Sequence, residues 1–261
     1  AASQPGTRKL ASPMRFLLYN IRYGTGRRER NAWMDMLRRT DRHFEAIAYF
    51  IRELEPDVVG LVETDSGSFR NRSRSQPQRL AEMIGHYHAF DVKYRHRGLM
   101  RHTPVLSNQG NAFLTRVPPK RHTFHFFEQG FKRLVIELEL EQVNLFLVHL
   151  SLRRYVRREQ LRHLENLIRQ ADKPCIVAGD FNALLGPKEL APFLRKTGMK
   201  RANPENRPTY PSWNPTRVLD FVCYTPCIRL KGFALPQVTL SDHLPLICDF
   251  ELPEQATQGT P

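Results

Sequence analysis

The chain has 261 residues, 41% of them hydrophobic and 25% charged. That composition excludes an unstructured polyelectrolyte and suits one large α/β domain or two small ones. Lys and Arg total 40 against 26 Asp and Glu, a net charge of +14, so the expected partners are polyanions: nucleic acid, anionic lipid or phosphorylated small molecules.

Residues 1–13 are polar and broken by Pro5, Gly6 and Pro13, and residues 253–261 read the same way, so both are expected to be loose tails around a single domain at 14–252. The first apolar run, Met14 to Asn20, predicts a buried strand. Over residues 41–54, Phe44, Ile47, Ala48, Ile51 and Leu54 fall on one face of a helix. Thr40 or Asp41 can cap its start and Pro56 stops it. Asp57 to Glu63 predicts a second strand. Residues 132–140 and 143–150 predict a hairpin. Residues 155–171 predict a strong helix with Leu161, Leu164, Leu167 and Ile168 inward. Strands are expected again at 174–180, 218–224 and 245–251. Strands and helices mix without strict alternation, which favours an α+β arrangement: a mixed or antiparallel sheet with helices outside.

Cys175, Cys223 and Cys248 lie within strand-like runs, where a thiol acts as a small hydrophobe. With Cys227 they form no zinc-ligand spacing. No apolar run reaches the roughly 18–20 residues that span a bilayer. No secretory segment opens the chain, which predicts a cytoplasmic protein unless a signal has been removed, and nothing predicts more than a monomer.

Several predicted strands end in a residue capable of chemistry. Asn20 ends the first and Glu63 the second; His149 nearly ends the hairpin; Asp180 and Asn182 follow Cys175 to Gly179. Asp220 lies within Arg217 to Val222, and Ser241-Asp242-His243 precedes an apolar run. Each alone reads as a turn cap or a satisfied core imidazole. Together they suit a site that holds a water and a phosphate oxygen.

In this order the residues resemble the endonuclease/exonuclease/phosphatase superfamily, which includes deoxyribonuclease I, exonuclease III-type apurinic endonucleases, neutral sphingomyelinases and inositol polyphosphate 5-phosphatases. Gly179-Asp180-Phe181-Asn182 and Ser241-Asp242-His243-Leu244-Pro245 carry it most specifically. Gly110 to Leu114 and Pro208 to Ser212 resemble recurrent segments of smaller members. The resemblance implies a four-layer α/β sandwich of two packed mixed sheets flanked by helices. It also implies phosphoester hydrolysis by a metal-activated water. Glu63 and Asp242, with Asn20 in support, are the expected ligands of Mg²⁺ or Mn²⁺. Asp180 and His243 are alternative general bases. Asn182 is expected to hold the water or a phosphate oxygen, Asp220 to orient His243, and His149 to donate to a non-bridging oxygen.

The substrate is read less directly. His149 stands where apurinic endonucleases carry an Asn-x-Tyr-x-Pro-Asn-like segment, and Ala183-Leu184 replaces the Tyr-Arg of 5-phosphatases. The region around Gln109 and Gly110 offers no carboxylate to pair with His149. Segments 21–30, 64–79 and 151–158 carry +3, +3 and +4 of the net charge, each following a site residue. They predict a cationic rim with Arg22, Arg70, Arg153, Arg154, Asn111 and Tyr23 as substrate contacts. Dense arginines favour nucleic acid as substrate. A phospholipid or phosphoinositide headgroup, a small soluble phosphoester, and a non-catalytic polyanion-binding module are the alternatives.

Overall fold

The computed structural model describes residues 13–26, 41–67, 74–92 and 109–253. The parts of the predicted cationic rim at 27–30 and 68–73, Arg70 among them, and Thr40 lie outside the described residues. The described chain folds as two six-stranded mixed sheets packed face to face with helices outside, the four-layer arrangement expected.

The first sheet holds β1 (Met14–Asn20), β2 (Val58–Asp65), β3 (Tyr87–Val92), β4 (Gln109–Thr115), β11 (Arg229–Ala234) and β12 (Leu246–Glu251) in the order β11-β12-β1-β2-β4-β3. The second holds β5 (Arg121–Phe126), β6 (Leu134–Glu139), β7 (Asn144–His149), β8 (Cys175–Asp180), β9 (Lys200–Arg201) and β10 (Asp220–Tyr224) in the order β5-β6-β7-β8-β10-β9. In each sheet one central pair is parallel, β1 with β2 and β7 with β8, and the other pairings are antiparallel. Helices α1 (Asp41–Glu53) and α2 (Gln76–Ile84) cover the first sheet; α3 (Arg154–Gln170) and α4 (Ala191–Thr197) cover the second. No helix among the described residues is long and apolar enough to cross a membrane.

Successive side chains on a strand point to opposite faces, and that alternation sorts the sequence into three cores. Phe16 and Leu18 of β1, Leu145 and Leu147 of β7, Ile176 and Ala178 of β8, and Val222 of β10 pack between the sheets. The residues between them face the helices: Leu17 and Tyr19 meet Phe44, Ile47 and Ile51 of α1, while Phe146 and Val177 meet Leu161, Leu164 and Ile168 of α3. Leu167 of α3 is only partly buried. That helix also buries Arg157, Gln160 and Glu165, which its apolar spacing does not foretell.

The same alternation positions chemistry. Continuing each strand by two residues from its last inter-sheet apolar side chain reaches Asn20, His149, Asp180 and, backwards along β10, Asp220. In register, His149 lies opposite Asp180, and Asp180 opposite Asp220. The inter-sheet core therefore ends in a polar row. Gly179 lets β8 lie against β7 there, at φ 151°; a Cβ on it would sit 1.9 Å from the Val148 carbonyl oxygen, so no other residue fits.

Candidate active site

Glu63 breaks the alternation. By parity with Val59 and Leu61 it would face α1, away from the other site residues. Instead β2 carries an irregularity between Leu61 and Thr64, where two residues oppose Asn111 alone. Glu63 takes a left-handed φ of 58°, costly for a residue with a Cβ. The Asn111 side-chain oxygen accepts from the Glu63 backbone N–H at 3.3 Å and replaces the lost ladder bond. A bulge that re-aims one side chain is a recurrent device beside active sites. Here it brings the Glu63 carboxylate to 3.7 Å from His149 of the facing sheet.

The two sheets meet directly through polar contacts. Asn20 Nδ2 donates to Asp180 Oδ2 at 3.3 Å. His149, 1% exposed, places Nε2 3.3 Å from the same Asp180 oxygen and also contacts the Lys132 ammonium. His149 thus finds its carboxylates in Glu63 and Asp180, not in the Gln109–Gly110 region where the sequence offers none. Asp180 Oδ1 accepts from the Asn182 backbone N–H at 2.9 Å. Asn182 is itself left-handed (φ 49°) and gives one side-chain N–H to the Leu150 carbonyl, so the β7 and β8 loops are stitched together at 2.9 Å.

A second pair stands beside this group. His243 Nδ1 lies 2.8 Å from Asp220 Oδ2, which also accepts from Thr209 Oγ1 at 2.6 Å. The Thr209 segment clamps the loop that carries His243: Leu244 N–H donates to the Thr209 carbonyl, Ser212 N–H donates to the Asp242 carbonyl, and the Tyr210 ring packs on the imidazole at 4.9 Å. Thr209 and Lys132 are the residues that sequence reasoning missed. The Thr-Tyr-Pro-Ser run marked the first. Nothing local marks Lys132, which arrives from the β5–β6 connection.

Burial and neighbouring charge set the protonation states. Burial would push the Asp180 carboxyl up, but the His149 hydrogen bond and the charges of His149, His243 and Lys132 hold it well below the usual carboxylate range. Burial would lower His243, yet Asp220, Asp180 and Asp242 raise it to about 10. Burial raises Asp242, opposed by His243 and Arg22, and the Glu63 charge raises it further.

The last effect bears on metal binding. Glu63 and Asp242 are hard oxygen donors close enough to repel, and a divalent cation would relieve that repulsion, so the donor set fits Mg²⁺ or Mn²⁺. Asp180, Asp220 and His243 also gather potential ligand atoms within 4.8 Å. There, Asp220 Oδ2 is already paired with His243 Nδ1. The Asp220 Oδ1 atom is buried with no hydrogen-bond partner among the described residues.

The predicted substrate contacts divide. The Arg22 guanidinium lies 3.4 Å from Asp242 and donates to the Gly26 carbonyl, so it serves the site's own carboxylate. Tyr23, left-handed at φ 55°, accepts through its carbonyl from buried Gln76. Asn111 is buried behind Glu63. Arg153 and Arg154 are exposed at the start of α3.

Two stacked mixed sheets with acids, amides and histidines at their shared strand ends define a deoxyribonuclease I-like phosphoesterase fold. The chain belongs to the Endonuclease/Exonuclease/phosphatase family, whose profile matches residues 17–243. Among solved structures it is similar to an endonuclease/exonuclease/phosphatase from Beutenbergia cavernae, at 20% identity and a TM-score of 0.69, covering 93% of this chain and 72% of that one. It is also similar to the human Nocturnin catalytic domain with bound sulfate (20% identity, TM-score 0.66, 92% and 94% covered). A third similar structure is a mannosyl-6-phosphatase from Bacteroides thetaiotaomicron (14%, TM-score 0.68, 92% and 100% covered). A search of curated proteins finds no match.

Proposed function

We propose that the protein is a divalent-metal-dependent phosphodiesterase that cleaves nucleic acid. The observation that carries this is the meeting of Asn20 and Glu63 from one sheet with His149 and Asp180 from the other, across 3.3 and 3.7 Å. Glu63 and Asp242, supported by Asn20, would hold Mg²⁺ or Mn²⁺, which would polarise the phosphoryl group and steady the leaving oxygen. Asp180, ionised and fixed by Asn20, His149 and the Asn182 N–H, orients the attacking water and accepts its proton. His243, kept cationic by Asp220, stabilises charge on the phosphoryl oxygens. Lys132 and His149 act on a second non-bridging oxygen. The excess of arginine favours a substrate dense in phosphates.

The test is hydrolysis of plasmid DNA, single-stranded DNA, RNA, a phosphatidylcholine–phosphatidylserine vesicle and bis-p-nitrophenyl phosphate, each with Mg²⁺, with Mn²⁺ and with EDTA. Metal-dependent cleavage of a polynucleotide supports the reading. Release of a lipid headgroup with no polynucleotide cut replaces it with the lipid alternative, and no hydrolysis of any substrate leaves a binding module.

A further inference from the structure

A groove of about 310 Å³ runs between α3 and the segment formed by the 3₁₀ turn Pro187–Leu190 and α4. Arg154, Arg158 and Arg162 line it from α3, four residues apart and so on one helical face. Lys188 and Lys196 line it from the other wall. The acids in the groove are already neutralised. Glu189 accepts from buried Arg157 at 2.6 Å and from the Leu185 N–H, and Glu165 accepts from Lys196 at 3.1 Å. Arg162 is paired with Glu159 at 2.7 Å. That leaves Arg154, Arg158 and Lys188, all exposed, with no anionic partner among the described residues.

Three unpaired cations in one concavity repel one another and favour an anion. The groove also has an address. α3 starts five residues after His149, and the 3₁₀ turn starts five residues after Asn182. The Asn182–Leu150 hydrogen bond ties those two loops together beside the active centre. Arg154 and Arg158 are separated by about 6 Å along the helix axis, so their guanidinium groups can reach neighbouring phosphates of one strand. A flat bilayer cannot enter a cleft between two helices, whereas a polynucleotide backbone can.

We infer that this groove binds the phosphodiester backbone of the polynucleotide beyond the scissile linkage, through Arg154, Arg158 and Lys188. The inference rests on the nucleic-acid reading above and names a part of the substrate path outside the catalytic cluster.

The experiment measures binding of a fluorescein-labelled 20-nucleotide strand and of a labelled dinucleotide in EDTA at several salt concentrations. It compares wild type, Arg158→Ala/Lys188→Ala, and a control, Arg169→Ala/Arg195→Ala, that removes the same charge from exposed sites outside the groove. The groove variant is expected to lose about tenfold in affinity for the long strand, and its log K against log salt slope is expected to fall by between one and two. The dinucleotide affinity and the control variant are expected to match wild type. Equal loss in groove and control variants reduces the effect to bulk charge and overturns the inference, as does no loss in either, and both leave the nuclease reading intact. Wild type that neither binds nor cuts polynucleotides, yet hydrolyses bis-p-nitrophenyl phosphate, overturns the nuclease reading and the inference with it.

Discussion

Asp180 touches Asn20, His149 and the Asn182 backbone at once, so its replacement reads on the chemistry most directly. Asp180→Asn keeps the size but removes the proton acceptor and turns one of the two accepting oxygens into a donor. We expect kcat for phosphodiester cleavage to fall by about 10³-fold, within the range of a lost general base, with binding of substrate retained. Asn111 acts one step back, through Glu63. Asn111→Ala leaves the Glu63 N–H without its acceptor, and the metal concentration giving half-maximal activity should rise about tenfold, as when the support of a ligand is lost. The Asp220–His243 pair predicts a pH dependence. The His243 pKa is raised from 6.5 to about 10 in the folded protein. Its contribution to stability is therefore complete below pH 6.5 and is lost as pH rises through about 10. In chelator-treated protein, the stability gap between wild type and Asp220→Asn should shrink from pH 6 to pH 10 in denaturant titrations. A gap that grows over that range contradicts the assignment.

At the scale of the elements, strand alternation and one bulge decide which side chains enter the cleft. Glycine at 179 is required because β7 and β8 approach within the space of a Cβ. Gly179→Ala should abolish soluble, cooperatively folding protein or shift its thermal transition sharply downward. A variant with unchanged Tm shows that the strands can separate at no cost. The apolar face of α3 is an independent structural lever. Leu164, fully buried against the second sheet, should cost about 2–5 kcal/mol when cut to Ala. Catalysis per folded molecule should persist, since Leu164 lies on the helix side of the sheet and the cluster lies between the sheets.

For the whole molecule, the governing feature is that the site belongs to neither sheet. Glu63 and Asn20 come from one, His149 and Asp180 from the other, and Asp242 and His243 from the loop before β12. A cation held by Glu63 and Asp242 would tie β2 to the loop before β12 and stabilise the folded state by mass action. Mg²⁺ or Mn²⁺ should therefore raise Tm in wild type, with the shift growing with concentration, and should not do so in Glu63→Gln/Asp242→Asn. An identical shift in both proteins moves the metal elsewhere. The net charge of +14 belongs to this scale too: it predicts an association with polyanions that weakens steeply with salt.

Apolar runs and their polar ends made much of this legible beforehand. β1, β2, β6, β7, β8, β10, β12, α1 and α3 stand close to the expected positions because each carries a buried face with clear periodicity. Asn20, His149 and Asp180 end such runs and stood out for the same reason, whereas Asp220, read inside an expected strand at 218–224, begins β10. The edge and short elements were not: β5 and β11 alternate weakly among basic and half-buried residues, and α2 and α4 span only nine and seven residues. Long-range packing alone decided the rest. No local pattern says that Glu63 turns inward on a bulge, that Lys132 reaches His149, or that Arg22 spends its charge on Asp242. Those outcomes depend on which strand lies opposite which across the sandwich, a relation fixed by the closing of two sheets over one core.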